Sequence, residues 1–216
     1  MSMGIRGWLL LALAIAATGW WMSPLSPRAG HAPAPAPGTT IACRLPPRVL
    51  AGAAPLQSEV PQSMTPFRLS AATLQPLAGF SADARVLSRE DYSHGREAEL
   101  SPTDLALGWG SMATPGMAQR LDVSQSSRWY HYQWTGEPPL PPDEIARSSA
   151  NMHMIPADET TAIALKSVRA GDHVRIDGWL VQADAADGWH WRSSTTRDDV
   201  GAGACEVVYV CAITHL

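Results

Sequence analysis

DETTAIALKSVRAGDHVRIDGWLV, residues 158–181, decides the fold class. Asp158 is a helix N-cap residue type. Ala162, Leu165 and Val168 then share one helical face, and Gly171 closes the helix. Immediately afterwards Val174, Ile176 and Leu180 alternate with His173, Arg175, Asp177 and Trp179. That period of two is the pattern of a half-buried strand. A short helix feeding a strand of this kind, with more strands to follow, predicts an α+β domain.

Working toward the C-terminus, Asp187-Gly188 marks a turn into a strand over residues 189–195. Residues 205–213 are apolar on both faces, which predicts a central strand. Working toward the N-terminus, residues 151–155 form a strand ended by Pro156, and residues 142–150 a helix. The aromatic run 128–134, and runs 67–70 and 82–90, are strands. Ser101-Pro102 and Thr114-Pro115 each pair an N-cap residue with proline at the first helical position, predicting two short helices. The order of elements predicts mainly antiparallel β structure in a small, OB-like barrel with short helices, behind an N-terminal membrane helix.

Residues 7–22 are almost wholly apolar or small, with Arg6 ahead of them, the layout of a signal peptide or signal anchor. Trp20-Trp21 at its end suits a membrane–water interface and favours an uncleaved anchor. The basic end stays in the cytoplasm, so the expected location is the inner membrane, with one pass and the C-terminal domain extracytoplasmic or periplasmic. The membrane is thus the first expected partner, through residues 5–22. Residues 24–66 carry ten of the 18 prolines, including APAPAPG at 32–38, and read as an extended linker. The expected organisation is an anchor over 1–23, a linker over 24–66 and one globular domain over 67–216.

Beyond residue 62 the chain holds 12 basic and 19 acidic groups, a net charge of −7. Nucleic-acid binders present a basic field, so nucleic acid is not an expected partner. No P-loop, dinucleotide fingerprint, nucleophile elbow or zinc-protease motif occurs, and no cofactor is expected. Of three cysteines, Cys205 and Cys211 lie six apart on one inferred strand, about 20 Å, too far to bond. Cys43–Cys211 is geometrically open, but buried thiols are the favoured reading for both strand cysteines.

Four segments carry more polar and aromatic groups than a core needs. In SANMHMIPAD (149–158) Asn151 and His153 share a strand face opposite Met152 and Met154. A core histidine bonded to backbone is the first reading of His153, a base or ligand the second. In DGWHWRSSTTRDD (187–199) Trp189 and Trp191 oppose His190, Arg192 and Ser194, and Arg197, Asp198 and Asp199 follow on a loop. LDVSQSSRWYHYQW (121–134) presents aromatic faces suited to planar ligands or to cross-strand packing. SPTDLALGWG (101–110) sets Trp109 between glycines. A site is expected where Asn151, His153, Arg192, Arg197 and Asp198 converge, with Trp109 as a further ligand contact.

Read together with YSHGREAELSPTDLALGWGSM (92–112), these segments resemble a family of bacterial membrane-anchored extracytoplasmic proteins, over roughly residues 75–212. The resemblance implies an anchored domain and brings no activity and no catalytic residues. Thr195 stands where that family often has leucine. The expected function is binding of a small polar ligand or an envelope protein without catalysis. The alternative is a hydrolase, metal-assisted in one form, using His153 with Asp198 or Asp199.

Overall fold

The computed structural model describes residues 4–21, 32–39, 41–196 and 204–216. Helix α1 (Ile5–Trp21) comes first. Strands β1 (Leu56–Ser58), β2 (Phe67–Arg68), β3 (Thr73–Asp91) and β4 (Thr103–Gly108) follow, then helix α2 (Met117–Arg120). Next come β5 (Asp122–Ser126), β6 (Trp129–Gln133), helix α3 (Pro142–Arg147), β7 (Ser149–Pro156) and helix α4 (Glu159–Ser167). The chain ends with β8 (His173–Asp184), β9 (His190–Arg192) and β10 (Glu206–His215).

The architecture is α+β and rich in antiparallel sheet, with few and short helices. Five strands pair in cyclic order: β3 with β4, β4 with β7, β7 with β10, β10 with β8, and β8 back to β3. Only the β7–β10 step is parallel. Side chains alternate across a strand, so each member gives one face to the ring interior. Phe80, Ala82, Ala84, Val86, Leu105, Leu107, Met152, Met154, Val174, Ile176, Leu180, Val208 and Val210 make that interior core. Leu165 and Val168 of the α4 region pack into the same core. As its sequence predicts, α4 is capped by Asp158, whose Oδ1 accepts from Thr161 N–H at 2.8 Å.

Two expectations are corrected in this frame. Ser101-Pro102 does not open a helix, because residues 103–108 form β4. Leu105 and Leu107 enter the ring core while Asp104 and Ala106 face out, and pairing on both edges outweighs a local capping signal. The extended linker also does not run free to Pro66. Within 32–66, Val49 N–H donates to Ser81 Oγ (2.9 Å), Arg44 C=O accepts from Trp179 Nε1 (2.7 Å), and β1 pairs with β3. The segment presses so closely on β3 that a Cβ added at Gly79 would run into Ser58 Oγ and Pro46 Cβ.

A disulfide between Cys43 and Cys211 fastens this strap to the last strand, with Cα atoms 5.3 Å apart. It corrects the reading of both strand cysteines as thiols; Cys205 takes no part in it. Cys43 and Cys211 sit at the margin of a second core, built outside the ring from Leu74, Leu100, Trp179, Val181, Val207 and Tyr209. The helix expected near the N-terminus is α1, with no buried residue. No helix among the described residues is long and apolar enough to cross a membrane.

Candidate functional site

Asp104 lies on β4 directly opposite His153 on β7, and Ala106 opposite Asn151. The register therefore places Asp104, Asn151 and His153 on one outward face of the ring. All three are buried, Asp104 completely. An isolated carboxylate in such a place is expensive, so its partners matter.

The strongest partner comes from the hairpin β5–β6, a separate two-stranded sheet. Arg128 at its tip donates from Nη1 to Asp104 Oδ1 at 2.7 Å. Its guanidinium carbon lies 3.8 Å over the Tyr92 ring and 5.8 Å from the Trp191 ring. Arg128 N–H donates to Tyr92 Oη at 3.0 Å, and Asn151 Nδ2 donates to Arg128 C=O at 3.0 Å. Asn151 Nδ2 also reaches Asp104 Oδ2 (3.3 Å), and its Oδ1 accepts from Gln125 Nε2 (2.7 Å). Burial pushes the Tyr92 phenol above its ordinary value, only partly offset by the bond from Arg128 N–H. Tyr92 thus stays a neutral acceptor.

His153 Nδ1 is 2.9 Å from Asp104 Oδ2, within ion-pair reach. It is not aligned for a hydrogen bond and makes none among the described residues. The ring of His153 packs on Trp191 with centroids 4.6 Å apart, and Trp191 leads to Trp189 at 6.1 Å. Trp189 in turn lies under Arg96, whose guanidinium is 4.8 Å from its ring. Arg96 grips both oxygens of Asp187, at 2.5 and 2.7 Å. That grip, helped by Trp189 N–H, holds the Asp187 carboxyl at about 2. A cleft of about 290 Å³ opens here, lined by Ala71, Arg96, Glu99, Leu100 and Trp189. One aromatic and cationic path therefore runs from an open cleft to the buried carboxylate.

Of the residues expected to converge, Asn151 and His153 do so. His153 is buried, as the core-histidine reading has it, with its Nδ1 2.9 Å from the Asp104 carboxylate and in no hydrogen bond among the described residues. Arg192 is turned away from this site. Trp191 packs toward His153, so its neighbour Arg192 faces the other way and donates to Gln182 Oε1 across β8–β9 at 2.6 Å. Trp109 is not at the site either; it is buried in the ring core. Arg197, Asp198 and Asp199 lie outside the described residues. No group of three or more metal-ligating His, Cys, Asp or Glu residues forms among the described residues.

Reading the sequence misses Asp104, Tyr92, Gln125 and Arg128. The alternation Asp104, Leu105, Ala106, Leu107 is a strand signal that places Asp104 outward, but nothing local sets it against His153. Comparison of the chain with protein-family models, with curated proteins and with solved structures found no match.

Proposed function

We propose that the protein is a membrane-anchored extracytoplasmic binding protein, without catalysis, and that the outer β4–β7 face of its ring takes an envelope partner. The observation that carries this reading is the concentration of Tyr92, Arg96, Arg128, Trp189 and Trp191 around one buried Asp104–Asn151–His153 cluster. The strand connections support reading the ring as a small OB-like barrel. Its third and fifth strands pair in parallel, and α4 lies between the third and fourth. In such barrels the face of the second and third strands, with the first–second and fourth–fifth loops, binds the ligand. Those positions are here β4–β7, loop 92–102 and the arm that carries Trp189 and Trp191. The net charge of −7 disfavours nucleic acid on this face.

The anchor reading rests on α1, which is mainly apolar and has no buried residue, with Arg6 at its start and Trp20-Trp21 at its end. The Cys43–Cys211 disulfide agrees with an oxidising compartment outside the cytoplasm. Two experiments test the reading. A reporter active only outside the cytoplasm, fused after Leu216, is expected to work, and activity from a cytoplasmic reporter alone would sink the localisation. Photo-crosslinkers placed in living cells at Ser93 or Trp129, exposed beside the site, are expected to yield adducts that one at Ile163 on α4 does not. Equal yields from both places, or none, would remove the binding face.

A further inference from the structure

We infer that Tyr92, Asp104, Asn151 and Trp191 form a binding site for an arginine residue of another polypeptide, and that Arg128 occupies it in cis. The inference deepens the binding-face reading and rests on it. The side-chain pocket is specific for a flat cation. Asp104 accepts from Nη1 at 2.7 Å, while the guanidinium lies 3.8 Å over Tyr92 on a face also bordered by Trp191. A planar, weakly hydrated guanidinium suits a carboxylate between aromatic rings better than a compact ammonium does. The site also reads main chain. Tyr92 Oη accepts the N–H of the bound arginine and Asn151 donates to its C=O, both at 3.0 Å. It is therefore built for an arginine within a peptide, and not for a guanidinium ion alone.

One observation sets this apart from an ordinary internal ion pair: the occupant is held in a disfavoured backbone shape. Ser127 and Arg128 have φ of 51° and 69°, the left-handed region that a two-residue hairpin turn normally gives to Asn or Gly.

Exchange is chemically permitted. An incoming arginine keeps a cation on Asp104, so no buried charge is stranded when Arg128 leaves. Release needs the turn at Ser127–Arg128 to move. From Tyr130 onward the hairpin is held, by Tyr130–Ser149 (2.6 Å) and by Val123, Tyr130, Tyr132 and Trp134 packed on a third core of Leu87, Ala106, Met112, Met117, Leu121 and Ile145. The acidic domain favours a basic partner. Arg128 competes at an effective concentration on the order of millimolar, which masks the site until a partner presents several contacts.

The test uses the full-length chain in detergent and N-acetyl-arginine methylamide as probe, followed by tryptophan fluorescence. Arg128→Ala is expected to bind the probe at least about tenfold more tightly than the unaltered chain. Ethylguanidinium and N-acetyl-lysine methylamide are expected to bind more weakly. Adding Asp104→Asn to Arg128→Ala, which leaves no unpaired charge, is expected to abolish the gain. A folded Arg128→Ala protein that ignores the probe at about 10 mM, several times the usual effective concentration, overturns the inference. So does equal binding by the double variant. If Arg128→Ala folds neither alone nor with the probe, the unaltered chain decides, by NMR of the Trp191 Nε1–H during titration with a short peptide carrying two arginines. A shift is expected there, and no shift overturns the inference. Crosslinks that persist from Ser93 after any of these failures would leave the binding face standing and remove only the arginine.

Discussion

Two carboxylates on the outside of the ring, Asp83 and Asp104, are both buried and each meets one histidine and one arginine. Asp83 contacts His173 Nε2 at 2.5 Å and Arg175 Nη2 at 3.6 Å. Both partners are neighbours on β8, brought there by the register that pairs Asp83 with Arg175 and Arg85 with His173. Their side chains remain 36% and 22% exposed. Asp104 receives its histidine from register too, but its arginine comes from a separate hairpin through a left-handed turn. The same three side-chain types thus have two origins. A cluster assembled by strand pairing follows from the sheet itself and reads as architecture. A cluster completed from a loop needs a conformation that the sheet does not impose, and reads as a site.

The comparison breaks or holds on how each carboxylate tolerates removal. Asp104→Ala leaves Arg128 and His153 facing each other with no anion, and breaking a buried pair costs about 3–5 kcal/mol. Asp83→Ala is expected to cost less, about 1–3 kcal/mol, because His173 and Arg175 regain water. Urea denaturation of both variants checks the order, and an equal or reversed loss would end the distinction.

The strap contacts the β3–β8 side of the ring. Arg48 within it lies 3.5 Å from Asp177, which accepts from Ser81 Oγ at 2.6 Å on the β3–β8 face. Cys43→Ser removes the covalent tie, at a typical loss of about 2–4 kcal/mol. Hydrogen-exchange protection is expected to fall around Val49 and Ser81 and to hold at β4 and β7. Uniform loss would show that the strap supports the whole ring.

A smaller effect probes the turn. Ser127→Asn places a residue tolerant of the left-handed region at φ 51°. It is expected to stabilise the chain by about 0.5–1 kcal/mol, seen as a raised unfolding midpoint. A lowered midpoint would mean that the turn carries no strain.

The smallest effect concerns the approach to the site. Asp187 is held at about 2 in the folded chain, below the ordinary carboxylate value, so its bond to Arg96 supports the fold above the unfolded value of about 3.9. That contribution is lost as pH falls through about 2. Trp189 emission, sensitive to the Arg96 guanidinium above it, is expected to change in that interval and to stay constant in Arg96→Gln. Emission unchanged down to pH 2 would show that the pair does not touch the tryptophan in solution.

The most legible parts were those with strong local periodicity. Helix α4 and β8 follow from the spacing of Ala162, Leu165, Val168, Val174, Ile176 and Leu180, and β10 from the run 205–213, apolar on both faces. β4 was not legible, because Ser101-Pro102 is a sound local helix signal that long-range pairing overrides. The strap was hidden for a related reason. Prolines predict extension, and an extended chain packs on a sheet as readily as it spans solvent. Half of the candidate site was within reach, since Asn151 and His153 share a face in any strand. Arg192 failed because the tryptophans of its hairpin pack toward the site and leave it on the other side.

The sequence by itself determined the apolar N-terminal segment, the acidic charge of the domain, the α4–β8 unit and the outward pairing of Asn151 with His153, because each depends on neighbours within a few residues. Only the tertiary structure decided that Asp104 faces His153, that Arg128 fills the space between Tyr92 and Trp191, and that Cys43 bonds to Cys211 across 168 residues. Those contacts depend on strand register and on how loops return over the ring. Register is fixed by the summed packing of a core drawn from the whole chain, which no local pattern contains.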